Sequence, residues 1–273
     1  MQTTHLNRIL SNEEIQRYAP SAFAGQPYHN RSDRYAFVPT SAVIDAMRQN
    51  GFQPVSARQS RTRIPGKENF TRHMLRFRQE DAQVSKVGDS VLEAVLINSH
   101  DGTSLYDLSC GLFRLACLNG LMVSEGTCQG VKVKHTGNIL EQVIEETYRI
   151  MEQAPKLNEI VRRWQAIPLD HSEQIILAET AKELREYPEN VAAAIPAERL
   201  LTPRRYSDNG TDLWSTFNRI QENVVKGKLS TRVNGVKLST RAVRSIDGDV
   251  KLNRALWTMA EKFAALKNGR DYQ

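Results

Sequence analysis

The segment Thr71–Gln79 alternates between basic and apolar side chains, and this alternation constrains the fold more than any other feature of the sequence. Successive side chains of a β-strand point to opposite faces of the sheet. The two faces carry His73, Leu75 and Phe77 on one side and Arg72, Met74, Arg76 and Arg78 on the other. The pattern therefore predicts a half-buried strand with an outward row of arginines.

This strand is predicted to belong to a basic hairpin. Phe52–Ile64 is the predicted first strand, residues 65–69 are the turn, and Phe70–Gln79 is the second strand. Glu68 is the single acid of residues 52–79, so the hairpin carries a net charge of +6, equal to the net charge of the whole chain. Its basic residues are Arg58, Arg61, Arg63, Lys67, Arg72, Arg76 and Arg78.

Further strands are predicted after the hairpin, and helices follow them. Val91–Asn98 is a continuous apolar run typical of a central strand, and Thr103–Leu108 is predicted to pair back with it. Gly111–Asn119 is predicted as a short buried helix. The predicted fold is α+β: a mixed, mainly antiparallel N-terminal sheet with a basic hairpin, followed by a helical C-terminal half.

Two regions are expected in the chain. Residues 1–137 form the predicted α+β sheet region, and residues 138–273 form a mainly helical region with a basic loop. The alternative is that both regions form one integrated domain. The predicted segments of the second region are helices at Ser172–Tyr187, Thr211–Val225 and near Val250–Lys267, and a linker at Val191–Pro203.

A second basic cluster lies between Pro203 and Arg244, where nine basic residues outnumber three acids and the net charge is again +6. Lys226–Thr240 is predicted as a mobile basic loop that closes over a bound strand, with a plain disordered connection as the alternative. The residues of this cluster assigned to binding are Arg204, Arg205, Lys226, Lys228, Arg232, Lys237, Arg241 and Arg244. Because charge is segregated in this way, a directional binding surface is favoured.

The two clusters indicate a polyanion as the partner. Arginine makes bidentate contacts to phosphate oxygens, and a basic hairpin can lie along a phosphate backbone. Phe70, Phe77 and Tyr106 are candidates for stacking on unpaired bases, although Phe77 points away from the arginines and fits a core position better. The alternative interpretation of the charged strand is a solvated surface.

Catalytic, metal-binding and cofactor-binding residues are not predicted. Asp101, Asp107, Asp247 and Asp249 are the acids that a metal-dependent nuclease would use, but structural roles in turns and helix caps fit them better. The odd number of cysteines, Cys110, Cys117 and Cys128, argues against a disulfide framework, and Cys110 and Cys117 are expected to be small buried side chains. The polar N-terminus and the absence of a long apolar run favour a cytoplasmic protein without a membrane partner.

Several stretches of the chain resemble one family. They are RSDRYAFVPT (31–40), RHMLRFR (72–78), INSHDGTS (97–104), GLFRLACLNG (111–120) and TRAVRSIDGDVKLNRALW (240–257). These motifs resemble the phage- and plasmid-related proteins grouped as domain of unknown function 932. The resemblance implies a mobile genetic element as the context, and it carries over no catalytic residue.

The leading hypothesis is a non-enzymatic protein of a phage, prophage or plasmid that binds single-stranded DNA in recombination or annealing. Such a protein would hold the strand as a homo-oligomeric ring or filament. The alternative is an inhibitor of a host defence system that acts by protein or nucleotide binding. A metal-dependent nuclease is the third hypothesis.

Overall fold

The chain combines an N-terminal antiparallel sheet with a helical C-terminal half, so the predicted α+β class is confirmed. The computed structural model describes residues 8–28, 37–81, 86–87, 90–102, 104, 106–114, 120–123, 130–133, 138–233 and 236–269. The chain divides into two compact units, residues 1–158 and 159–273.

The first unit is built on an antiparallel sheet, which has seven strands within the described residues. Its strands are β1 (Phe52–Gln59), β2 (His73–Gln79), β3 (Lys86–Val87), β4 (Ser90–Asn98), β5 (Tyr106–Arg114), β6 (Gly120–Met122) and β7 (Val131–Val133). The strand order is β1-β2-β4-β5-β6, with β3 paired to β4 and β7 paired to β5. The helices are α1 (Asn12–Tyr18), α2 (Thr40–Gln49), α3 (Ile139–Met151) and α4 (Ala154–Gln165), the last of which ends beyond the first unit.

The alternation in β2 gives the sheet its two faces, as predicted. His73, Leu75 and Phe77 have no exposed surface. Phe52 of β1 lies on the same face by its pairing with β2, and its ring centroid is 5.0 Å from that of Tyr148 on α3. Helix α3 also packs against α2, β4 and β5. The predicted apolar run of β4 is the central strand, and all nine of its residues are buried.

A buried polar network fixes β2 to the N-terminal segments. The two ring nitrogens of His73 lie 2.9 Å from the Ser21 hydroxyl and 3.0 Å from the Thr40 hydroxyl. The Thr40 hydroxyl also lies 3.1 Å from Nε2 of His100. Burial lowers the pKa of His73 to about 4, against a smaller opposing effect of the Thr71 carbonyl. The imidazole is therefore neutral at pH 7 and exchanges hydrogen bonds with neutral groups.

The second unit is mainly helical. Its elements are α5 (His171–Arg185), α6 (Glu189–Ala194), α7 (Glu198–Leu201), α8 (Leu213–Lys226), β8 (Ser230–Val233), β9 (Val236–Ser239) and α9 (Ile246–Lys267). Helix α8 packs against α5, α7 and α9, and it is the central element of this unit. An aromatic cluster of Trp164, Trp214, Phe217 and Trp257 forms part of the core, with ring centroids 4.7 to 6.3 Å apart.

Several predictions of secondary structure differ from the structure, and the predicted strand Phe70–Gln79 begins only at His73. β1 ends at Gln59, so the chain from Ser60 to Ile64 is a loop and not the continuation of a strand. Residues 111–114 belong to β5 and not to a helix, because residues 111–113 pair with both β4 and β6; the rest of that predicted helix lies outside the described residues. The predicted linker Val191–Pro203 contains most of α6 and all of α7.

The cysteine prediction is wrong for Cys110, which is buried on β5 but disulfide-bonded. Cys117 and Cys128 lie outside the described residues. Among the helices of the described ranges, none combines the length and the apolar character that crossing a bilayer requires.

Candidate functional site

The arginines of β2 bind a buried carboxylate instead of forming an exposed row. Glu93 on β4 has no exposed side-chain surface; its oxygens lie 2.8 Å from Nε of Arg76 and 3.0 Å from Nε of Arg78. The Arg76 guanidinium also lies 3.7 Å from the ring centroid of Phe113 on β5, which is a cation–π distance. Only 12% and 15% of the two arginine side chains are exposed. Both arginines therefore stabilise the sheet.

The other cations of the first cluster divide into two groups. Lys67 forms an ion pair of 2.9 Å with Asp101, and Nε of Arg58 lies 3.3 Å from the Met74 sulfur. Arg72 precedes β2 and is half-buried. Arg61 and Arg63 lie in the loop after β1 and are exposed, with no ion pair to any residue that the structure describes. Of the first cluster, these two arginines are the most accessible to a ligand.

Three basic residues of the second cluster hold the C-terminal end of α8. Arg204 donates to the Asn223 side chain at 2.7 Å and to the Gly227 carbonyl at 2.6 Å. Glu222 accepts from Lys226 at 2.7 Å and from Arg205. Although burial alone would raise the pKa of Glu222, the hydrogen bonds from Lys226 and Arg205 bring it below its usual range. These three cations have structural partners within the second unit.

After α8 the chain forms a β-hairpin, so the prediction of a mobile loop over Lys226–Thr240 is wrong for the described residues. Helix α8 ends at Lys226, and the capping residue Gly227 has a positive φ of +60°. A Cβ atom on Gly227 would lie 2.6 Å from the carbonyl carbon of Arg241, so the two backbones are in direct contact. β8 and β9 then pair antiparallel, from the pair Ser230–Ser239 to the pair Val233–Val236. The sequence contains the signal for this hairpin, because Asn-Gly at 234–235 separates two short β-rich runs.

The two faces of the β8–β9 hairpin differ in polarity and contacts. Thr231 pairs with Leu238, and its hydroxyl donates to the Ala194 carbonyl of α6 at 2.7 Å. This face therefore packs against α6. Residues two apart share a face, and the opposite face consists of Ser230, Arg232, Lys237 and Ser239, all of which are exposed.

Five exposed cations of the second cluster form what we call the hairpin surface. Its residues are Lys228, Arg232, Lys237, Arg241 and Arg244. None of the five side chains has an acidic partner among the described residues. The close approach of Gly227 to Arg241 and the hydrogen bond from Lys228 N to Thr240 O, 2.8 Å long, bring the two ends of this segment together at the base of the hairpin.

Two of the three aromatic residues predicted to stack on bases are buried, and the third, Phe70, is half-buried. Phe77 and Tyr106 are fully buried, and the Tyr106 hydroxyl donates to the Val38 carbonyl at 2.6 Å. Phe70 packs against Tyr28 with ring centroids 5.2 Å apart. Sequence reasoning missed Tyr206, which is 93% exposed. Its position directly after Arg204 and Arg205 was the available signal.

The acidic residues considered for a nuclease divide between the two units, with Asp101 and Asp107, the latter on β5, in the first and Asp247 and Asp249 in the second. Asp101 pairs with Lys67 and accepts from the Ser99 hydroxyl at 2.7 Å. Asp247 and Asp249 lie in the first turn of α9, where carboxylates complement the helix dipole. Within the described residues, no group of three or more His, Cys, Asp or Glu side chains is arranged to hold a metal ion.

Comparisons with known proteins identify relatives along most of the chain. The model of the family "Domain of unknown function (DUF932)" matches residues 27–257. The chain is similar to UPF0380 protein YafZ and to UPF0380 protein YfjQ, both of Escherichia coli strain K12. Each is 43% identical over 256 residues, which cover 93% of this chain and 92% of the relative. No solved structure matches the chain. The motifs, the family model and these two relatives agree, and the chain belongs to the DUF932 family.

Proposed function

We propose that this protein is a cytoplasmic nucleic-acid-binding protein and that the hairpin surface holds the phosphate backbone of its ligand. The observation that carries the proposal is the direct pairing of Arg232 with Lys237 on the exposed face of the β8–β9 hairpin. Like charges directly opposite each other on a sheet repel and destabilise the pair. A phosphate group placed between them converts that repulsion into attraction.

The remaining groups on the hairpin surface fit the same ligand. Ser230 and Ser239 lie beside the two cations on the same face, and serine hydroxyls are frequent donors to phosphate oxygens in protein–nucleic acid complexes. Lys228, Arg241 and Arg244 extend the charge beyond the hairpin itself. Several cations without acidic partners in one segment raise the local concentration of a polyanion and steer its approach.

The cations of β2 have a smaller role in this proposal than the sequence predicted. Arg76 and Arg78 have Glu93 as their partner and are largely buried. Reversing their charge would place three carboxylates in the sheet and would test folding instead of binding. Arg61 and Arg63 are exposed and are the residues of the first unit that we assign to phosphate contacts.

Single-stranded DNA remains the proposed ligand, in recombination or annealing on a phage, prophage or plasmid. An acidic protein surface of a host defence system would contact the same cations. Binding of nucleic acid is therefore tested directly, with oligonucleotides. Fluorescence anisotropy with a labelled thymidine oligonucleotide should show saturable binding by the wild-type protein. The double variant Arg232→Gln/Lys237→Gln should bind at least about 10-fold more weakly, because each phosphate contact made by a cation contributes on the order of 1 kcal/mol.

The matched control removes two positive charges from another part of the same unit. Arg162 and Arg163 are exposed in the last turn of α4, and Arg163 pairs with the equally exposed Glu159. The variant Arg162→Gln/Arg163→Gln should bind as the wild type does. Equal losses in both variants would show that only net charge matters and would reject the hairpin surface as the binding site.

A further inference from the structure

Tyr206 exposes its ring more completely than any other large hydrophobic residue that the structure describes. It is 93% exposed, whereas the next, Leu266, is 74% exposed. An aromatic ring exposed to water does not contribute the burial energy of about 2 kcal/mol that such side chains usually add to folding. A ring at this position is therefore poised to gain that energy from a ligand.

The backbone that carries Tyr206 is fixed, although its ring is not packed. Residues 206–208 form a single 3-10 turn, which Arg205 closes by pairing with the buried Asp208 at 2.9 Å. The Asp208 amide also donates to the Arg205 carbonyl at 3.1 Å. Because the turn is anchored in this way, the backbone at Tyr206 does not have to become ordered when a flat ligand binds the ring. This lowers the entropic cost of binding.

The turn lies beside the base of the hairpin surface. Arg204 lies two residues before Tyr206 and donates to the Gly227 carbonyl, which is adjacent to Lys228. Arg205 shares the Glu222 carboxylate with Lys226, the last residue of α8. The backbone at Tyr206 is therefore tied, through Arg204 and Arg205, to the part of the chain that begins the hairpin surface.

We infer that Tyr206 is a base-stacking residue and that the ligand of the hairpin surface is a strand with unpaired bases. The inference rests on the proposed function, because the cations must first hold the backbone. An exposed aromatic ring beside a basic surface accepts any base by its flat face, so the contact selects unpaired strands and not a particular sequence. In a duplex the bases are stacked on one another and cannot reach the ring.

The experiment compares the variants Tyr206→Ala and Tyr206→Phe on two labelled probes of equal length. One probe is a thymidine oligonucleotide, and the other has abasic sites at every position. Loss of one stacked base corresponds to a decrease in affinity of about 5- to 100-fold. Tyr206→Ala should show this loss on the thymidine probe and keep wild-type affinity for the abasic probe, and Tyr206→Phe should bind both probes as the wild type does.

The outcomes separate this inference from the proposed function. If the wild type binds both probes equally and Tyr206→Ala changes neither affinity, the stacking role is rejected while phosphate binding stands. If Tyr206→Ala weakens both probes alike, the residue acts through folding or charge placement, and the stacking role is again rejected. If the wild type binds neither probe, the proposed function fails first. The inference would also be overturned if the protein bound an acidic protein through Tyr206 and bound neither oligonucleotide.

Discussion

Arg232 and Lys237 lie directly opposite each other in the register of the β8–β9 hairpin, and both side chains are exposed. The pair is unfavourable for the hairpin alone, since like charges at facing positions repel. We therefore expect Lys237→Glu to stabilise the second unit by up to about 1 kcal/mol, because it creates a cross-strand ion pair. The same change should weaken oligonucleotide binding more than Lys237→Gln does.

Thermal denaturation and anisotropy titrations of the three proteins check this prediction together. Lys237→Gln is the control that removes the charge without creating the ion pair, and it should lie between the wild type and Lys237→Glu in both measurements. A variant Lys237→Glu that is less stable than the wild type, or one that binds oligonucleotide equally well, contradicts the assignment of the pair to ligand binding.

Glu93→Gln should destabilise the first unit strongly. The carboxylate has no exposed side-chain surface and pairs with Arg76 and Arg78, so its neutralisation leaves two largely buried guanidinium groups without this counter-charge. Breaking a buried ion pair in this way costs about 3–5 kcal/mol. Urea unfolding should show the decrease. Glu145→Gln, which removes one of the two acidic partners of the exposed Arg149, is the control and should cost about 0.5 kcal/mol, the usual value of a surface pair.

Acid should destabilise the protein through His73. Its folded-state pKa of about 4 lies below its ordinary value of 6.5, because burial disfavours the charged ring. Between these two values the unfolded chain binds a proton that the folded chain does not, so stability falls as the pH decreases from 6.5 to 4. The loss over this window is about 3 kcal/mol, at roughly 1.36 kcal/mol per pKa unit.

The test is the urea midpoint as a function of pH for the wild type and His73→Gln. An amide can replace part of the hydrogen bonding to Ser21 and Thr40 without titrating, so the variant should be less stable at pH 7 but lose less stability on acidification. Identical pH profiles for the wild type and His73→Gln would contradict the burial of a neutral imidazole.

Gly227→Ala should disturb the junction between α8 and the hairpin. The position has a φ of +60°, and a Cβ atom there would lie 2.6 Å from the carbonyl carbon of Arg241. We expect a loss of stability of at least about 1 kcal/mol, with weaker oligonucleotide binding because the hairpin surface shifts. Thermal denaturation measures the first effect. Gly25→Ala is the control, since among the described residues no heavy atom would lie within 4 Å of a Cβ atom at Gly25, and its φ is ordinary.

The sequence predicted β2 and its apolar face because a period of two is a local property of the chain. It also predicted α8 within two residues at each end, since apolar spacing is a local signal. The error at residues 111–114 has a non-local cause. The apolar residues Leu112 and Phe113 are compatible with a helix as well as with a strand. The pairing of residues 111–113 with β4 and β6 makes this segment a strand.

The candidate site was predicted less completely than the fold. Charge counting found both basic clusters, but it could not show that a single acid within an apolar run, Glu93, neutralises two arginines of β2. Which cations have partners depends on strand register and tertiary contacts, and neither follows from local composition. The Asn-Gly pair at 234–235 is a hairpin signal that the polar composition around it concealed.

The salt dependence of binding tests the hairpin surface most directly. For a single strand, the logarithm of the affinity falls with the logarithm of the salt concentration by about 0.7 for each phosphate contact. Removing both cations in Arg232→Gln/Lys237→Gln should make this slope shallower by about 1.4, whereas Arg162→Gln/Arg163→Gln should leave it unchanged. A slope for Arg232→Gln/Lys237→Gln equal to that of the wild type would contradict phosphate binding by the hairpin.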